Sequence, residues 1–284
     1  MKKIIVSGAQ GFVGKHLTAR LLKNKNIKLI KMDRKLGNVK NKYTWNKLAS
    51  ANVLVHLAGM SFLPDTWASP EKCIQSNVLG TIMALEYCKT HKTKMIFVSS
   101  YMYGNPDKLP TNEKAKMKIN NPLALSKSLG EEACKFYAKS YGLKVIILRP
   151  SNIYGPGQKN SFLIPDMINK FKMKKIVVNN LNIKRDLIYI SDFVEAIIKS
   201  ISLKNNFQIF NIGSGKSYSI KEIIEILKEL NKKDFSLINK NISSKNQIIN
   251  TQLDINKAKK ILGWMPRWSL KKGLAYIVKK NRIK

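Results

Sequence analysis

Three glycines near the start of the chain recur at three-residue spacing, and their chemistry is that of a phosphate-binding turn. Gly8, Gly11 and Gly14 follow a short β-branched run over residues 2–7 and open a stretch, 12–23, whose apolar residues have helical spacing. Glycine there lets the chain turn sharply and lets backbone N–H groups approach a pyrophosphate at the positive end of the helix. The motif predicts a dinucleotide-binding turn, with an ordinary tight strand-to-helix turn as the alternative.

An acidic residue about 20 positions downstream supports the dinucleotide interpretation. Asp33 ends the second predicted strand, where its carboxylate can bind the hydroxyls of an adenosine ribose. Arg34 follows directly and could instead face a 2′-phosphate, so NAD is the favoured cofactor and NADP the alternative. Phe12 and Val13, inside the glycine turn, complete this group of predicted cofactor-binding residues.

Alternating strands and helices position the glycine turn. Short hydrophobic runs of the kind buried in a parallel sheet recur along the first half of the chain, and helical stretches separate them, for example 76–90 and 125–141. The runs cover residues 28–33, 53–59, 95–100 and 144–150. This alternation predicts an α/β fold with a doubly wound parallel sheet, the Rossmann arrangement, and helices on both of its faces.

The pattern changes after Pro150, where a connection rich in Gly, Pro and Asn begins. We expect residues 1–155 to form the dinucleotide-binding domain. Residues 156–284 would form mainly a smaller C-terminal α/β substrate-binding lobe, part of which can return to the sheet. The elements predicted in this lobe are helices near 161–172, 191–203 and from about 217, strands at 175–178 and 187–190, a polar stretch at 243–252, and final helices at 254–261 and 269–280.

The composition indicates a folded globular protein and limits its partners. Hydrophobic residues make up 44% and charged residues 24% of the 284 residues, close to globular averages. The formal net charge is +35, but lysines recur from Lys2 to Lys284. No basic block is interleaved with aromatic residues, as base-stacking surfaces require. We therefore expect no nucleic-acid partner, and we expect the positive field to attract anionic ligands or an acidic membrane surface.

Cysteine usage and hydrophobicity point to a reducing setting outside the membrane. Cys73, Cys88 and Cys134 lie far apart without a CxxC pair, which supports neither a disulfide framework nor a zinc site. No cluster of His, Cys, Asp or Glu has metal-ligand spacing, so we predict no metal. The first apolar run is too short for a signal peptide, and no stretch approaches the length of a membrane span. We expect a cytoplasmic protein without stable membrane insertion.

The glycine spacing resembles that of the extended short-chain dehydrogenase/reductase family, which contains NAD-dependent nucleotide-sugar epimerases, dehydratases and ketoreductases. The resemblance implies a Rossmann fold, an NAD cofactor and a nucleotide-sugar substrate, and it assigns Leu57, Ala58 and Gly59 to cofactor binding. Further motifs continue it in order along almost the whole chain: HLAG at 56–59, Asn77 with Gly80-Thr81, SSYMYG at 99–104, NPLALSKSLGEE at 121–132, LRPSNIYGPGQ at 148–158, RDLIYISD at 185–192, NIGSG at 211–215 and LGWMP at 262–266.

One departure from the family pattern concerns the proton chemistry. In the family, a Tyr-x-x-x-Lys pair on a long helix does this chemistry. The tyrosine is the general acid/base, and the lysine binds the nicotinamide ribose and lowers the tyrosine pKa. Here Lys127 is present, but the residue four positions earlier is Leu123. Leucine cannot transfer a proton, so the standard mechanism does not apply unchanged.

Three explanations of Leu123 stay open. Another group can relay the proton: the family's catalytic Ser/Thr corresponds to Ser99, and Tyr101, two residues further in an extended segment, points to the same side. Tyr101 stands where the sugar 4,6-dehydratases have a glutamate, and a stacking or packing role is its alternative. A substrate hydroxyl or water can supply the proton, or the protein can retain binding alone. The catalytic candidates are Ser99, Tyr101 and Lys127.

The substrate side of the predicted site depends on the same resemblance. Asn152 resembles the family's diphosphate-contacting asparagine. Arg185 resembles its phosphate-binding arginine, whose planar guanidinium offers two parallel donors. A loop-capping role for Asn152 and an ion pair of Arg185 with Asp186 or Asp192 are the alternatives. The remaining predicted substrate contacts are Ser99, Ser100 and Tyr101.

These residues predict an NAD(P)-dependent enzyme that modifies a nucleotide-activated sugar, by 4-epimerisation or related C4 redox chemistry. A 4-keto-sugar nucleotide reductase, a 4,6-dehydratase, and a catalytically silent homologue that only binds dinucleotide and sugar nucleotide are the alternatives. Ser100 and Tyr101 replace the Asp and Glu expected of a dehydratase, which disfavours dehydration. The resemblance also implies a homodimer through the helices at 76–90 and 125–141, whose apolar residues fit that role or packing on the protein's own sheet.

Overall fold

A parallel sheet of six strands dominates the computed structural model, which describes residues 1–173, 175–231, 235–242 and 247–282. Numbered in chain order, its strands are β1 (Lys2–Ser7), β2 (Ile27–Met32), β3 (Val53–His56), β4 (Lys94–Val98), β5 (Val145–Pro150) and β9 (Phe207–Ile212). They lie in the order β2-β1-β3-β4-β5-β9, and every neighbouring pair is parallel. The structure confirms the predicted α/β fold with a doubly wound parallel sheet.

Helices cover both faces of this sheet because alternate residues of each strand point to opposite sides. Those that pack on this sheet include α1 (Phe12–Leu21), α2 (Lys42–Asn46), α5 (Gly80–Thr90), α6 (Pro122–Tyr141) and α8 (Ile190–Ser202). The other described helices are α3 (Leu63–Ala68), α4 (Pro70–Ile74), α7 (Leu163–Lys172), α9 (Ile220–Asn231) and α10 (Leu270–Arg282). Ile146 of β5 belongs to the core formed with α1 and α8. Its neighbour Ile147 belongs to the core formed with α5 and α6.

Two predicted helices contain π-helical turns. The helix expected over 76–90 begins with the turn Gln75–Leu79 before α5, and the turn Ala258–Leu262 occupies much of the helix expected over 254–261. Such turns are rare and occur frequently at functional sites. Asn77 lies buried in the first turn and donates a hydrogen bond of 2.8 Å to Ser126 Oγ on α6.

Two smaller sheets are built mostly from the second half of the chain. In one, β6 (Asn152–Tyr154), β8 (Lys184–Tyr189) and β10 (Ser217–Ser219) lie in the order β10-β8-β6. In the other, β7 (Lys175–Val178) pairs with β11 (Ser236–Asn239). Between β8 and β10 the chain returns to the large sheet as β9. The division into a domain and a lobe at residue 155 stays a prediction, and residues 243–246 of the predicted polar stretch lie outside the described residues.

A buried ion pair fastens α6 to β5. Glu131 on α6 and Arg149 on β5 are 0% and 3% exposed. The guanidinium donates to the carboxylate at distances from 2.6 to 3.2 Å. Arg149 Nη1 also donates to the Tyr103 hydroxyl (2.8 Å), which donates to Asn211 Oδ1 on β9 (2.7 Å). The pair therefore holds α6, the segment after β4 and β9 in a fixed relation.

Candidate functional site

The carboxyl edge of the six-stranded sheet brings the predicted site residues together. The strand order reverses between β1 and β3, and open α/β sheets bind ligands in the crevice at such a point. The glycine turn follows β1, residues 57–60 follow β3, the segment from Ser99 follows β4, and Asn152 follows β5 after one residue. Segments that are far apart in sequence therefore meet at one edge.

The glycine turn leaves its backbone open to an anion. Gly8 has a φ of 71°, which other residues rarely adopt, and a Cβ there would lie 2.9 Å from Ala58 N. A Cβ on Gly14 would overlap the Gly8 carbonyl oxygen. Gly11 is the N-cap of α1 and supplies no side-chain cap to the first N–H groups of this ten-residue helix. The cradle formed by these glycines fits a dinucleotide pyrophosphate.

Asp33 lies beside the glycine turn. Its half-buried carboxylate accepts a hydrogen bond of 2.9 Å from Lys35 N, and Gln10 Nε2 donates to its other oxygen at 3.4 Å. Gln10 belongs to the turn, so this contact joins the two parts of the predicted cofactor site. Arg34 is exposed. The sequence interpretation missed Gln10, although its place between the first two glycines is a usable signal.

The other predicted cofactor residues surround the turn. Phe12, Val13 and Leu57 are partly buried and pack against the core beneath it. Ala58 N donates to Ser7 Oγ at 3.3 Å, which ties the end of β3 to the end of β1. The structure places Phe12, Val13, Leu57 and Ala58 at the crevice, and their role in cofactor binding stays a prediction.

Asn77 connects the loop after β3 to α6. Its side chain accepts a hydrogen bond from Met60 N (2.7 Å) and donates to Met60 O (3.0 Å), next to Gly59. It also donates to Ser126 Oγ, the residue before Lys127. The backbone at Gly59 and the lysine on α6 are therefore held by one buried amide. Ser126 is a further residue that sequence reasoning did not single out.

Lys127 and Leu123 lie one turn apart on the same side of α6. Lys127 is 8% exposed, and its Nζ donates to Val98 O at 2.8 Å, at the end of β4. Burial lowers the pKa of Lys127 to about 8. Leu123 is half-buried and has no polar side-chain atom. Lys127 therefore reaches the end of β4 and has a leucine one turn before it on α6; its role in cofactor binding stays a prediction.

His56 is a buried histidine beneath this edge. Its Nδ1 lies 2.8 Å from Ser7 Oγ. Burial, and then the positive charge of Lys127, lower the pKa of His56 to about 3. The ring is therefore neutral at ordinary pH and serves as a polar link between β1 and β3 in the core.

Ser99 carries a buried hydroxyl that has no hydrogen-bond partner in the part of the chain that the structure describes. The residue is 4% exposed, and its backbone N–H donates to Leu148 O at 2.8 Å. Ser100 beside it is half-buried. A buried hydroxyl without a partner is costly unless a ligand completes its hydrogen bonding. Ser99 Oγ is therefore a strong candidate for ligand contact.

Tyr101, Asn152 and Arg185 form one cluster. The Tyr101 hydroxyl donates to Asn152 Oδ1 at 3.2 Å, and Asn152 Nδ2 donates to the Asp186 carbonyl at 3.2 Å. Arg185 lies two residues before Leu187, the β8 partner of Asn152, and therefore on the same face of the strand as that partner. The structure therefore brings together the three predicted substrate residues whose side chains are largest.

The Arg185 guanidinium is half-buried, and burial lowers the pKa of this group. Its Nη1 donates to Lys184 O at 2.8 Å. Among the described residues it forms no ion pair with Asp186 or Asp192, so that sequence-based alternative is absent. Asp192 instead accepts hydrogen bonds from Arg267 N and Trp268 N. A half-buried guanidinium without a carboxylate suits an anionic ligand such as a diphosphate.

The described residues offer neither a cluster of metal ligands nor a membrane-spanning helix. They contain no group of three or more His, Cys, Asp or Glu side chains arranged to hold a metal ion. None of the helices described is both long enough and apolar enough to cross a membrane.

Residues 4–213 match the model of the NAD dependent epimerase/dehydratase family. The chain is 30% identical to the dTDP-4-dehydro-6-deoxyglucose reductase of Escherichia coli, over 99% of this chain and 98% of that protein. It is also 30% identical to the UDP-glucuronate 4-epimerase of Thermodesulfobacterium geofontis, over 89% and 79% respectively. The crystal structure of a Thermotoga maritima UDP-glucose 4-epimerase with UDP-glucose superposes with a TM-score of 0.93 at 25% identity and covers 99% of both chains.

Proposed function

This chain belongs to the NAD dependent epimerase/dehydratase family, and we propose that it modifies a nucleotide-activated sugar at C4, by 4-epimerisation or related C4 redox chemistry. The segment from Val98 to Tyr101 carries the proposal. Val98 O contacts Lys127, and Tyr101 contacts Asn152. Between them along the chain lies the Ser99 hydroxyl, which has no partner among the described residues. A sugar bound here would lie between the dinucleotide site and an anion site formed by Asn152 and Arg185. C4 redox chemistry on a nucleotide sugar requires this arrangement.

The residues present fit NAD, and different residues would hold different parts of it. Backbone N–H groups of the turn 8–14 would bind the pyrophosphate, Asp33 the adenosine ribose hydroxyls, and Lys127 the nicotinamide ribose. NAD, when bound, takes up and returns a hydride. NADP is the second candidate because the exposed Arg34 adjoins Asp33. The residues that would line the same site are Phe12, Val13, Leu57, Ala58 and Gly59.

The opposite side of the site would hold the substrate. Arg185 and Asn152 would bind the diphosphate, because they offer a guanidinium and an amide beside each other. Ser99 Oγ would donate a hydrogen bond to a sugar oxygen, with Ser100 next to it. The Tyr101 hydroxyl would hold or release the proton of the C4 oxygen, a task that the side chain at position 123 does not perform.

The first test asks whether the purified protein carries and uses these ligands. Mass spectrometry of the denatured protein identifies the released dinucleotide. The intact protein is then incubated with UDP-, dTDP-, GDP- and CDP-sugars, and NMR detects inversion at C4. We expect bound NAD and interconversion of C4 epimers without added NADH. Bound dinucleotide with no conversion of any sugar would contradict the proposal, and Gly14→Val, which should lose the dinucleotide, controls for background conversion.

A 4-keto-sugar nucleotide reductase is the second candidate, because one relative is named as such a reductase. A reductase consumes one reduced dinucleotide per turnover, whereas an epimerase recycles its own. Stoichiometric oxidation of NADH or NADPH by a 4-keto-sugar nucleotide would therefore identify the reductase. A 4,6-dehydratase is disfavoured by Ser100 and Tyr101, and a silent homologue, suggested by Leu123, would bind both ligands and convert none.

We also propose a homodimer formed through α5 and α6. Leu79, directly before α5, and Leu129 and Phe136 of α6 are 39%, 42% and 57% exposed, whereas Leu85 of α5 is fully buried in the protein's own core. Phe136→Glu should convert a dimer to a monomer in light scattering, because a charge would be buried at the interface. Leu22→Glu, at an exposed position beyond α1, is the control. A monomeric wild type would contradict this assembly. The free, buried cysteines suit the reducing cytoplasm where we expect the protein.

A further inference from the structure

The Asp186 carboxylate lies fully buried on the opposite face of β8 from Arg185, because neighbouring residues of a strand alternate. It accepts five hydrogen bonds, from Ser151 Oγ (3.1 Å), Ser214 N (2.7 Å), Ser214 Oγ (2.8 Å), Gly215 N (3.3 Å) and Leu253 N (3.1 Å). No Lys or Arg side chain in the described ranges pairs with it. N–H and O–H donors alone therefore compensate its charge.

The donors to Asp186 come from three segments that are distant in sequence. Ser151 joins β5 to β6, residues 214–215 belong to the loop after β9, and Leu253 precedes the second π-helical turn. The backbone of Asp186 adds a bond to the last of these segments, since its N–H donates to Thr251 Oγ1 at 3.0 Å. One buried carboxylate thus fastens three segments to β8.

The same strand position supports the anion site. The Asp186 carbonyl accepts the hydrogen bond from Asn152 Nδ2, and Asn152 in turn accepts from Tyr101. Arg185 is the preceding residue, and its guanidinium contacts the carbonyl of Lys184. A shift of β8 at Asp186 would therefore move Arg185 and Asn152 together.

We propose that Asp186 is a positioning residue, whose carboxylate clamps three segments to β8 and thereby holds Arg185 and Asn152 in the orientation that binds the substrate diphosphate. The inference depends on the proposed function, because it takes a nucleoside diphosphate group as the ligand. Asp186 itself contacts neither substrate nor cofactor in this role.

Asp186→Asn in the full-length protein tests the proposal. The amide keeps the shape of the side chain but turns a donor toward groups that are themselves donors. Binding of UDP, dTDP, GDP and CDP is measured by calorimetry, and the tightest ligand is compared between variants, as is NAD. We expect nucleoside diphosphate affinity to fall about tenfold or more, while NAD affinity stays within about twofold of wild type.

Asp192→Asn is the matched control. Asp192 is also a buried aspartate that accepts backbone N–H hydrogen bonds, but its described partners lie in the segment 264–268 and not at the anion site. It should lower the melting temperature without changing nucleoside diphosphate affinity. If Asp186→Asn does not fold, Ser214→Ala removes one donor to the carboxylate and should weaken nucleoside diphosphate binding in the same direction.

The outcomes separate this inference from the proposed function. A wild-type protein that binds none of the four nucleoside diphosphates overturns the proposed function and this inference with it. Wild-type binding that Asp186→Asn, or Ser214→Ala in its place, leaves unchanged overturns the positioning role alone. Equal losses of nucleoside diphosphate and NAD affinity would indicate a general structural effect and would also overturn it.

Discussion

Replacing Tyr101 by phenylalanine separates a proton-transfer role from a packing role. The change removes only the hydroxyl, which donates to Asn152 Oδ1 at 3.2 Å. The half-buried ring and its packing against the core remain. A loss of turnover in Tyr101→Phe therefore reports on the hydroxyl itself.

The expected magnitude follows from these contacts. Loss of one hydrogen bond of this kind costs about 1 kcal/mol of stability, which lowers the melting temperature of a chain of this size by about 2–4 °C. A general acid/base contributes a factor of about 10²–10⁴ to rate, or about 3–5 kcal/mol of transition-state free energy. We expect kcat of Tyr101→Phe to fall about a thousandfold, with the fold and dinucleotide binding retained.

The assay measures kcat and KM for the nucleotide sugar that the panel identifies. Leu123→Tyr places a phenol one helical turn before Lys127 and should change kcat by less than about tenfold if Tyr101 already moves the proton. Tyr141→Phe, at an exposed tyrosine at the end of α6, is the control for removal of a tyrosine hydroxyl. Circular dichroism and dinucleotide binding verify that each variant is folded.

Two results would refute the reasoning. Unchanged kcat in Tyr101→Phe would mean that Tyr101 is a packing residue. A substrate hydroxyl or water would then have to supply the proton. An increase of about a hundredfold or more in Leu123→Tyr would mean that the wild-type site lacks a general acid/base.

Three further predictions concern the cofactor site and its support. Gly14→Ala places a Cβ against the carbonyl of the first glycine and should weaken NAD binding about a hundredfold; a normal Kd by calorimetry would contradict the pyrophosphate cradle. Glu131→Gln leaves the buried Arg149 guanidinium uncompensated and should lower the free energy of unfolding in urea by about 3–5 kcal/mol. Glu132→Gln, at an exposed ion pair, should lower it by less than about 1 kcal/mol. Equal losses in the two variants would show that the buried pair contributes no more to stability than the exposed one. Lys127 has a folded pKa of about 8, below its usual 10.5, so the folded state holds fewer protons than the unfolded state between these values and stability should rise with pH across that window. The ammonium is lost above the folded pKa, so NAD affinity should fall from about pH 7 to about pH 9, and an identical fall in Lys127→Met would exclude this lysine as its cause.

Local patterns in the sequence were enough to predict the architecture. Strands buried on both faces of a sheet appear as continuous apolar runs, and β3 and β5 are buried along their whole length. The glycine turn and the acid at the end of β2 are equally local, because turn geometry and strand ends depend on a few neighbouring residues. Family motifs then indicated Ser99, Lys127 and Arg185, and the match over residues 4–213 confirms the family.

Contacts between distant residues were decided only by the tertiary structure. Tyr101 and Asn152 are 51 positions apart, and Asp186 and Leu253 are 67 apart. The ion pair of Arg185 with Asp186 that the sequence suggested is absent from the described residues, because Asp186 points to the other face of β8. There its carboxylate accepts hydrogen bonds from N–H and O–H donors. Sheet order, register and the need to satisfy every buried polar group select such partners. Those conditions apply to the whole folded chain, so no local pattern of residues contains them.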